Sequence, residues 1–89
     1  MTKVTIGITT YNRIELLKKA IESVIGQNYT DYKILIGNDY PLDKITFEKL
    51  KIEPNENITI INNPKNLGEV NNSNQLLNLT STEWFCWLS

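Results

Sequence analysis

The feature that most constrains the fold is the regular alternation of short apolar runs with longer amphipathic segments. Runs rich in β-branched and aromatic residues, typical of buried strands, occur at 4–10, 32–37, 58–62 and 84–88. Strands that alternate with helices through short connections predict a mostly parallel sheet with helices on both faces. We therefore expect a three-layer α/β sandwich, β-α-β-α-β-α-β, with strand order 3-2-1-4.

The segment after the first strand has the clearest helical pattern. Asn12 followed by Glu15 is similar to a capping box at its start, and Gly26 predicts its end. A second helix is predicted at 43–51, and a polar third helix follows the third strand. The apolar face of the first helix consists of Ile14, Leu17, Ala20, Ile21, Val24 and Ile25, and the apolar residues of the third are Val70, Leu76, Leu77 and Leu79.

Composition limits what the chain can do. Its 89 residues form one small domain, 1–89. A net charge of -1, from 9 basic and 10 acidic residues, predicts no nucleic-acid partner, because such partners need a basic face. With no histidine and one cysteine, an imidazole base and an intrachain disulfide are both excluded. The lack of a long apolar run predicts a cytoplasmic location.

The loop after the first strand is the first candidate site. Ligands of open parallel sheets bind beyond the carboxyl ends of the strands, where the strand order reverses, which here lies between the first and fourth strands. Residues 9–13 lack the glycines of a dinucleotide or Walker loop. They offer a hydroxyl, an aromatic ring and a helix N-terminus, which favours phosphate. The alternative is purely structural: Tyr11 packs over the sheet edge and Asn12 caps the helix.

Asp39 is a second candidate, because it stands where the second strand ends. A carboxylate there can accept a hydrogen bond from the imide N–H of a uracil-type base. The alternative is a turn residue that bonds its own backbone, as aspartate often does.

Together these segments resemble family 2 glycosyltransferases, which transfer a sugar from a nucleotide-diphosphate donor and have a Rossmann-like GT-A fold. The segment VTIGITTYNR at 4–13 is similar to the family's opening strand and Tyr-Asn turn. The run at 84–88 resembles the strand that leads into the family's metal-binding aspartates. The other matching positions are Leu17, Ser23, Gln27 and Tyr29 in the first helix, Asn38 and Asp39 after the second strand, and Asn66, Gly68 and Asn74 near the third helix.

The resemblance implies a set of nucleotide-binding residues. Thr9, Tyr11 and Asp39 would line a pocket for the base and ribose, and Arg13 would be a phosphate contact. Two departures affect the set: Asn38 replaces one carboxylate of an acidic pair, and Ser73 stands where the family often has arginine. The complete expected set is Thr9, Tyr11, Asn12, Arg13, Asp39, Asn66 and Gly68.

In the family, an Asp-x-Asp motif follows the fourth strand and holds Mg²⁺ or Mn²⁺ on the diphosphate of the donor, where the metal acts as a Lewis acid. That motif would follow Ser89. The resemblance thus implies a nucleotide-sugar-binding part of a GT-A domain, truncated before the motif, with no catalytic residue, no bound metal and no transfer activity of its own. The parent enzyme would require the metal and could be associated with a membrane.

The resemblance implies a nucleotide-sugar donor, with a UDP-type donor favoured, and a sugar, lipid or polysaccharide as the parent's acceptor. The alternative is a non-catalytic nucleotide-binding or protein-interaction module with the same fold. A fourth strand without a further cover leaves an apolar sheet edge, which predicts self-association as a dimer.

Overall fold

A computed structural model describes residues 4–26, 31–82 and 84–88. Strands and helices alternate throughout these ranges, as expected from the sequence. The elements in chain order are β1 (Val4–Thr10), α1 (Ile14–Ile25), β2 (Tyr32–Asn38), α2 (Phe47–Leu50), β3 (Ile58–Asn62), α3 (Glu69–Leu79) and β4 (Trp84–Trp87).

The four strands form one sheet in the order β3-β2-β1-β4, and every neighbouring pair is parallel. This arrangement confirms the strand order and the α/β class predicted from the sequence. Thr10 is paired with Asn38, and Asn38 in turn with Asn62. The carboxyl ends of three strands are therefore level, so the loops that follow them meet at one edge of the sheet.

The main core lies between α1, α2 and one face of the sheet. Ile34 and Ile36 of β2 have no exposed surface and share this face, because alternate residues of a strand point the same way. Ile21 of α1 and Leu50 of α2 are also fully buried. Each such side chain stabilises the fold by roughly 1.5–3 kcal/mol relative to an exposed one.

The opposite face of the sheet is covered by α3. Leu76 and Asn72 are its buried residues, whereas Val70, Leu77 and Leu79 are exposed. Gly37 of β2 lies directly below Asn72, whose side chain occupies the space that a Cβ at position 37 would need. The side-chain amide of Asn72 in α3 therefore packs directly on the backbone of β2 at Gly37, which has no side chain.

The second helix is shorter than the sequence predicted. The expected range 43–51 is helical only at Phe47–Leu50. The Ile45 N–H donates to Asn62 Oδ1 (2.8 Å), and Asn62 Nδ2 donates to the Ile45 carbonyl (3.0 Å). Because this pairing uses both backbone groups of Ile45, the helix begins only after Thr46, whose side chain accepts a hydrogen bond from the Lys49 N–H.

The expected capping box at the start of α1 is wrong. Asn12 has a left-handed backbone (φ 53°) and is exposed, and the residue before the helix is Arg13, with no side-chain cap. Asparagine tolerates this conformation better than most residues, so its backbone makes the turn instead of its side chain capping it. At the other end, Ile25 is 41% exposed and does not join the buried face.

No helix in the described ranges is long and apolar enough to cross a membrane.

The close approach of Gly37 to Asn72 gives a test of the packing. We expect Gly37→Ala to lower the free energy of unfolding by about 1–3 kcal/mol, because the new methyl must displace the Asn72 side chain. Gly26→Ala is the control: its φ of -69° suits any residue, and its Cβ would lie 3.2 Å from the Glu22 carbonyl oxygen, whereas a Cβ at position 37 would overlap Asn72 Oδ1, so we expect a change of about 1 kcal/mol or less. Urea denaturation followed by circular dichroism measures both, and equal effects would contradict the packing described.

Self-association stays a prediction. β4 lies at one side of the described sheet, and its Trp84 and Trp87 are 64% and 44% exposed. Unpaired strand edges pair readily with other chains. We expect light scattering at high concentration to give a mass near twice the 10.3 kDa of the monomer, and a monomer mass throughout would count against pairing.

Candidate functional site

A cavity of about 620 Å³ lies at the carboxyl end of β1, between α1 and α3. β1 has β2 on one side and β4 on the other, so the strand order reverses here. Ligands of open parallel sheets bind at this kind of position. The polar and aromatic residues that line the cavity are Thr9, Thr10, Tyr11, Arg13, Glu69, Ser73 and Trp87.

Thr9 connects the end of β1 to the start of α3. Its Oγ1 donates a hydrogen bond to Glu69 Oε1 (2.8 Å), and Ser73 Oγ donates to the same oxygen at 3.3 Å. Glu69 is the first residue of α3, where the partial positive charge of the helix N-terminus favours a carboxylate. These three side chains form a short hydrogen-bonded row along one wall of the cavity.

Tyr11 presents an aromatic ring beside the same cavity. The ring packs edge-to-face against Tyr40, with ring centroids 5.0 Å apart and an interplanar angle of 79°. About half of Tyr11 is nevertheless exposed (51%). A ring that is fixed at one side and open at the other is suited to stacking on a flat ligand.

Arg13 and Asn12 follow Tyr11 in the turn. Arg13 is exposed and lines the cavity, so its guanidinium can bind an anion there. Asn12 does not line this cavity; it borders a much smaller cleft of about 30 Å³ with Arg13 and Tyr40.

Asp39 lies outside the cavity and is only 5% exposed. Its Oδ1 accepts hydrogen bonds from Asn63 Nδ2 (3.0 Å) and the Leu67 N–H (2.7 Å), and its Oδ2 accepts one from the Gly68 N–H (2.9 Å). The carboxylate therefore holds the turn before α3 against the end of β2. Asn66 supports the same turn, because its Oδ1 also accepts from the Gly68 N–H.

Two opposing effects set the pKa of Asp39. Burial raises it, but the hydrogen bonds from the Leu67 N–H, the Asn63 amide and the Gly68 N–H together outweigh burial. The pKa of Asp39 is therefore lowered below its ordinary value of 3.8.

A network of side-chain amides extends from Asp39 to the sheet. Asn63 Nδ2 also donates to Asn72 Oδ1 (3.1 Å), and Asn72 Nδ2 donates to the Gly37 carbonyl (3.0 Å). Gln75 donates to both Asn63 and Asn72. Among the residues described, no buried side-chain polar atom lacks a partner, so the network stabilises the structure and does not expose reactive groups.

Six of the seven expected site residues fall into two neighbouring groups. Thr9, Tyr11 and Arg13 line the cavity, whereas Asp39 belongs to the turn before α3. The groups meet where the Asp39 N–H donates to the Thr10 carbonyl (2.9 Å). The role of Asp39 as acceptor for a base therefore stays a prediction. In the second group, Asn66 and Gly68 join Asp39, whereas Asn12 belongs to neither group and borders the smaller cleft.

Sequence reasoning missed Glu69, Ser73 and Trp87 as cavity residues. In the sequence, Ser73 stands out only as a departure from a family pattern. The acidic residue directly after Gly68 was a usable signal, since the first turn of a helix at a strand-end site faces the ligand. Within 4–26, 31–82 and 84–88, no group of three or more acidic, histidine or cysteine side chains could hold a metal.

Replacement of the buried carboxylate tests the turn that it holds. Asp39→Asn substitutes an N–H₂ group for one acceptor oxygen, so a backbone or side-chain donor loses its partner. We expect the free energy of unfolding to fall by about 1–3 kcal/mol. Asp31→Asn, at an exposed carboxylate before β2, should change it by less than about 0.5 kcal/mol.

The pH dependence provides an independent check on the same group. Because the folded-state pKa of Asp39 is lowered, its stabilising effect is complete above the unfolded-state pKa of about 3.9 and is lost as pH falls through the lower folded-state value. The difference in unfolding free energy between wild type and Asp39→Asn should therefore shrink as acid is added below about pH 4. A constant difference down to pH 2 would contradict this assignment.

Comparison with protein families gives one match, to the model described as glycosyl transferase family 2, over residues 5–89. A search of curated proteins returned no match. The family match covers nearly the whole chain, and the parallel sheet in the order β3-β2-β1-β4 agrees with the N-terminal part of a GT-A type domain. The chain therefore belongs to glycosyl transferase family 2.

Proposed function

We propose that the chain binds the nucleotide of a nucleotide-diphosphate sugar, of the UDP type, in the cavity at the end of β1. Family membership supports a glycosyltransferase as the parent. The observation that carries the proposal is the position of the half-exposed Tyr11 ring beside that cavity, where the strand order reverses. A volume of about 620 Å³ is within the usual range for small-molecule sites.

In this proposal the cavity separates the parts of the nucleotide by charge. The Tyr11 ring stacks on the base, and the Thr9 hydroxyl lies beside Glu69. The diphosphate lies toward Arg13 and the N-terminus of α1, because both carry positive charge or partial charge. Each residue thus contributes binding and orientation, which fix where the sugar is presented.

The residues of the second group act indirectly. Asp39 accepts from the backbone of Leu67 and Gly68, so it sets the position of the turn that begins α3. Gly68 has φ 86°, a left-handed backbone that favours glycine. We propose that Asp39, Asn66 and Gly68 hold Glu69 in place beside the cavity. Asn12 contributes the turn that directs Arg13 toward it.

We further propose that the 89-residue chain on its own binds the donor without transferring the sugar. Transfer requires stabilisation of the leaving diphosphate and a base for the acceptor hydroxyl. In the part of the chain that the structure describes, no set of side chains fits a metal ion, and Asp39 is engaged with protein donors. Mg²⁺ or Mn²⁺, the base and the acceptor site would then be supplied by the parent enzyme.

Titration with UDP tests the nucleotide site. We expect the amide signals of Thr9, Tyr11 and Arg13 to shift in heteronuclear NMR spectra, because these residues line the cavity. Tyr11→Ala should weaken binding about tenfold or more, since loss of base stacking costs about 1–3 kcal/mol. Trp84→Ala is the matched control: it removes an aromatic residue that is 64% exposed but does not line the cavity. Equal effects of the two substitutions, or shifts confined to other regions, would refute the site.

A further inference from the structure

Glu69 is the one carboxylate among the described residues that line the cavity. Two hydroxyl groups fix it: Thr9 Oγ1 at 2.8 Å and Ser73 Oγ at 3.3 Å. Both donate to the same oxygen, Oε1. Because an ionised carboxylate offers about four acceptor positions, about half of its capacity, on the second oxygen Oε2, remains for a ligand.

The charge of Glu69 decides which part of a nucleotide it can contact. A carboxylate repels phosphate, and the two like charges avoid direct contact even where water reaches them, as it does at the exposed Glu69 side chain. The diphosphate therefore lies away from Glu69 and toward Arg13, the cationic residue among the described residues that line the cavity. What remains near Glu69 must be uncharged and must donate hydrogen bonds.

Two parts of a uridine nucleotide meet that condition, the imide N–H of the base and the hydroxyls of the ribose. The imide offers one donor, whereas the adjacent 2′- and 3′-hydroxyls offer two, which matches the acceptor positions that remain on Oε2. Acidic side chains bind ribose hydroxyls in the same way in dinucleotide-binding α/β folds. The number of hydrogen-bond donors thus favours the ribose over the base as the part that contacts Glu69.

We infer that Glu69 accepts hydrogen bonds from the ribose hydroxyls of the bound nucleotide and selects ribonucleotides over deoxyribonucleotides. Thr9 and Ser73 are positioning residues for this contact. Their hydroxyls both donate to Oε1, which orients the carboxylate, and neither donates to Oε2. The inference rests on the proposed function, since it requires a nucleotide in the cavity.

The experiment compares the affinities of three ligands by calorimetry: UDP, 2′-deoxy-UDP and 3′-deoxy-UDP. The wild-type chain should bind UDP about tenfold more tightly than at least one deoxy analogue, because each analogue lacks one hydrogen bond to a charged group. Glu69→Gln and Glu69→Ala should reduce this preference to about twofold or less. The matched control, Glu22→Gln on the exposed part of α1 outside the cavity, should keep it.

The outcomes separate the inference from the function on which it rests. A wild-type chain that binds no UDP overturns the proposed function itself. A chain that binds UDP, but in which Glu69→Gln changes all three affinities by one common factor, overturns the ribose contact alone. That result would mean that Glu69 acts only through its charge or through the stability of α3. Circular dichroism of each variant confirms that the fold is retained before affinities are compared.

Discussion

The buried carboxylate of Asp39 is the interaction on which the arrangement of the site depends. It accepts hydrogen bonds from Asn63 and from the backbone N–H groups of Leu67 and Gly68, which joins the ends of β2 and β3 to the turn before α3. An unpaired buried charge would be strongly destabilising, but here donors on three sides compensate for its loss of hydration. The position of Glu69, and hence of one cavity wall, follows from this single anchored turn.

The sequence was sufficient for the strands and for their order. Buried parallel strands require nearly continuous apolar runs, and such runs differ visibly from the amphipathic segments between them. The start of α2 was not predictable in the same way. Ile45 pairs with the side chain of Asn62, 17 residues away, and no local pattern indicates that a side-chain amide will take both of its backbone groups.

In the site too, some features follow from local sequence patterns and others depend on residues far apart in the chain. Thr9, Tyr11 and Arg13 could be identified because they lie at or just after the end of a strand, and the cavity lies at that place. The amide network of Asn63, Asn72 and Gln75 could not, since an asparagine in a turn and an asparagine in a buried network look identical in a sequence. The burial of Asp39 likewise depends on a turn 28 residues further along the chain.

The hydrogen bond between Thr9 and Glu69 joins residues that are 60 positions apart. The pairing of β1 with β2 and the packing of α3 on the sheet already bring these residues together, and a single exposed hydrogen bond adds little to that closure. A ligand that contacts both residues would add its own binding free energy to this closure. Occupancy of the cavity would then raise the melting temperature of the whole domain. The stabilisation would grow with the logarithm of the ratio of ligand concentration to dissociation constant.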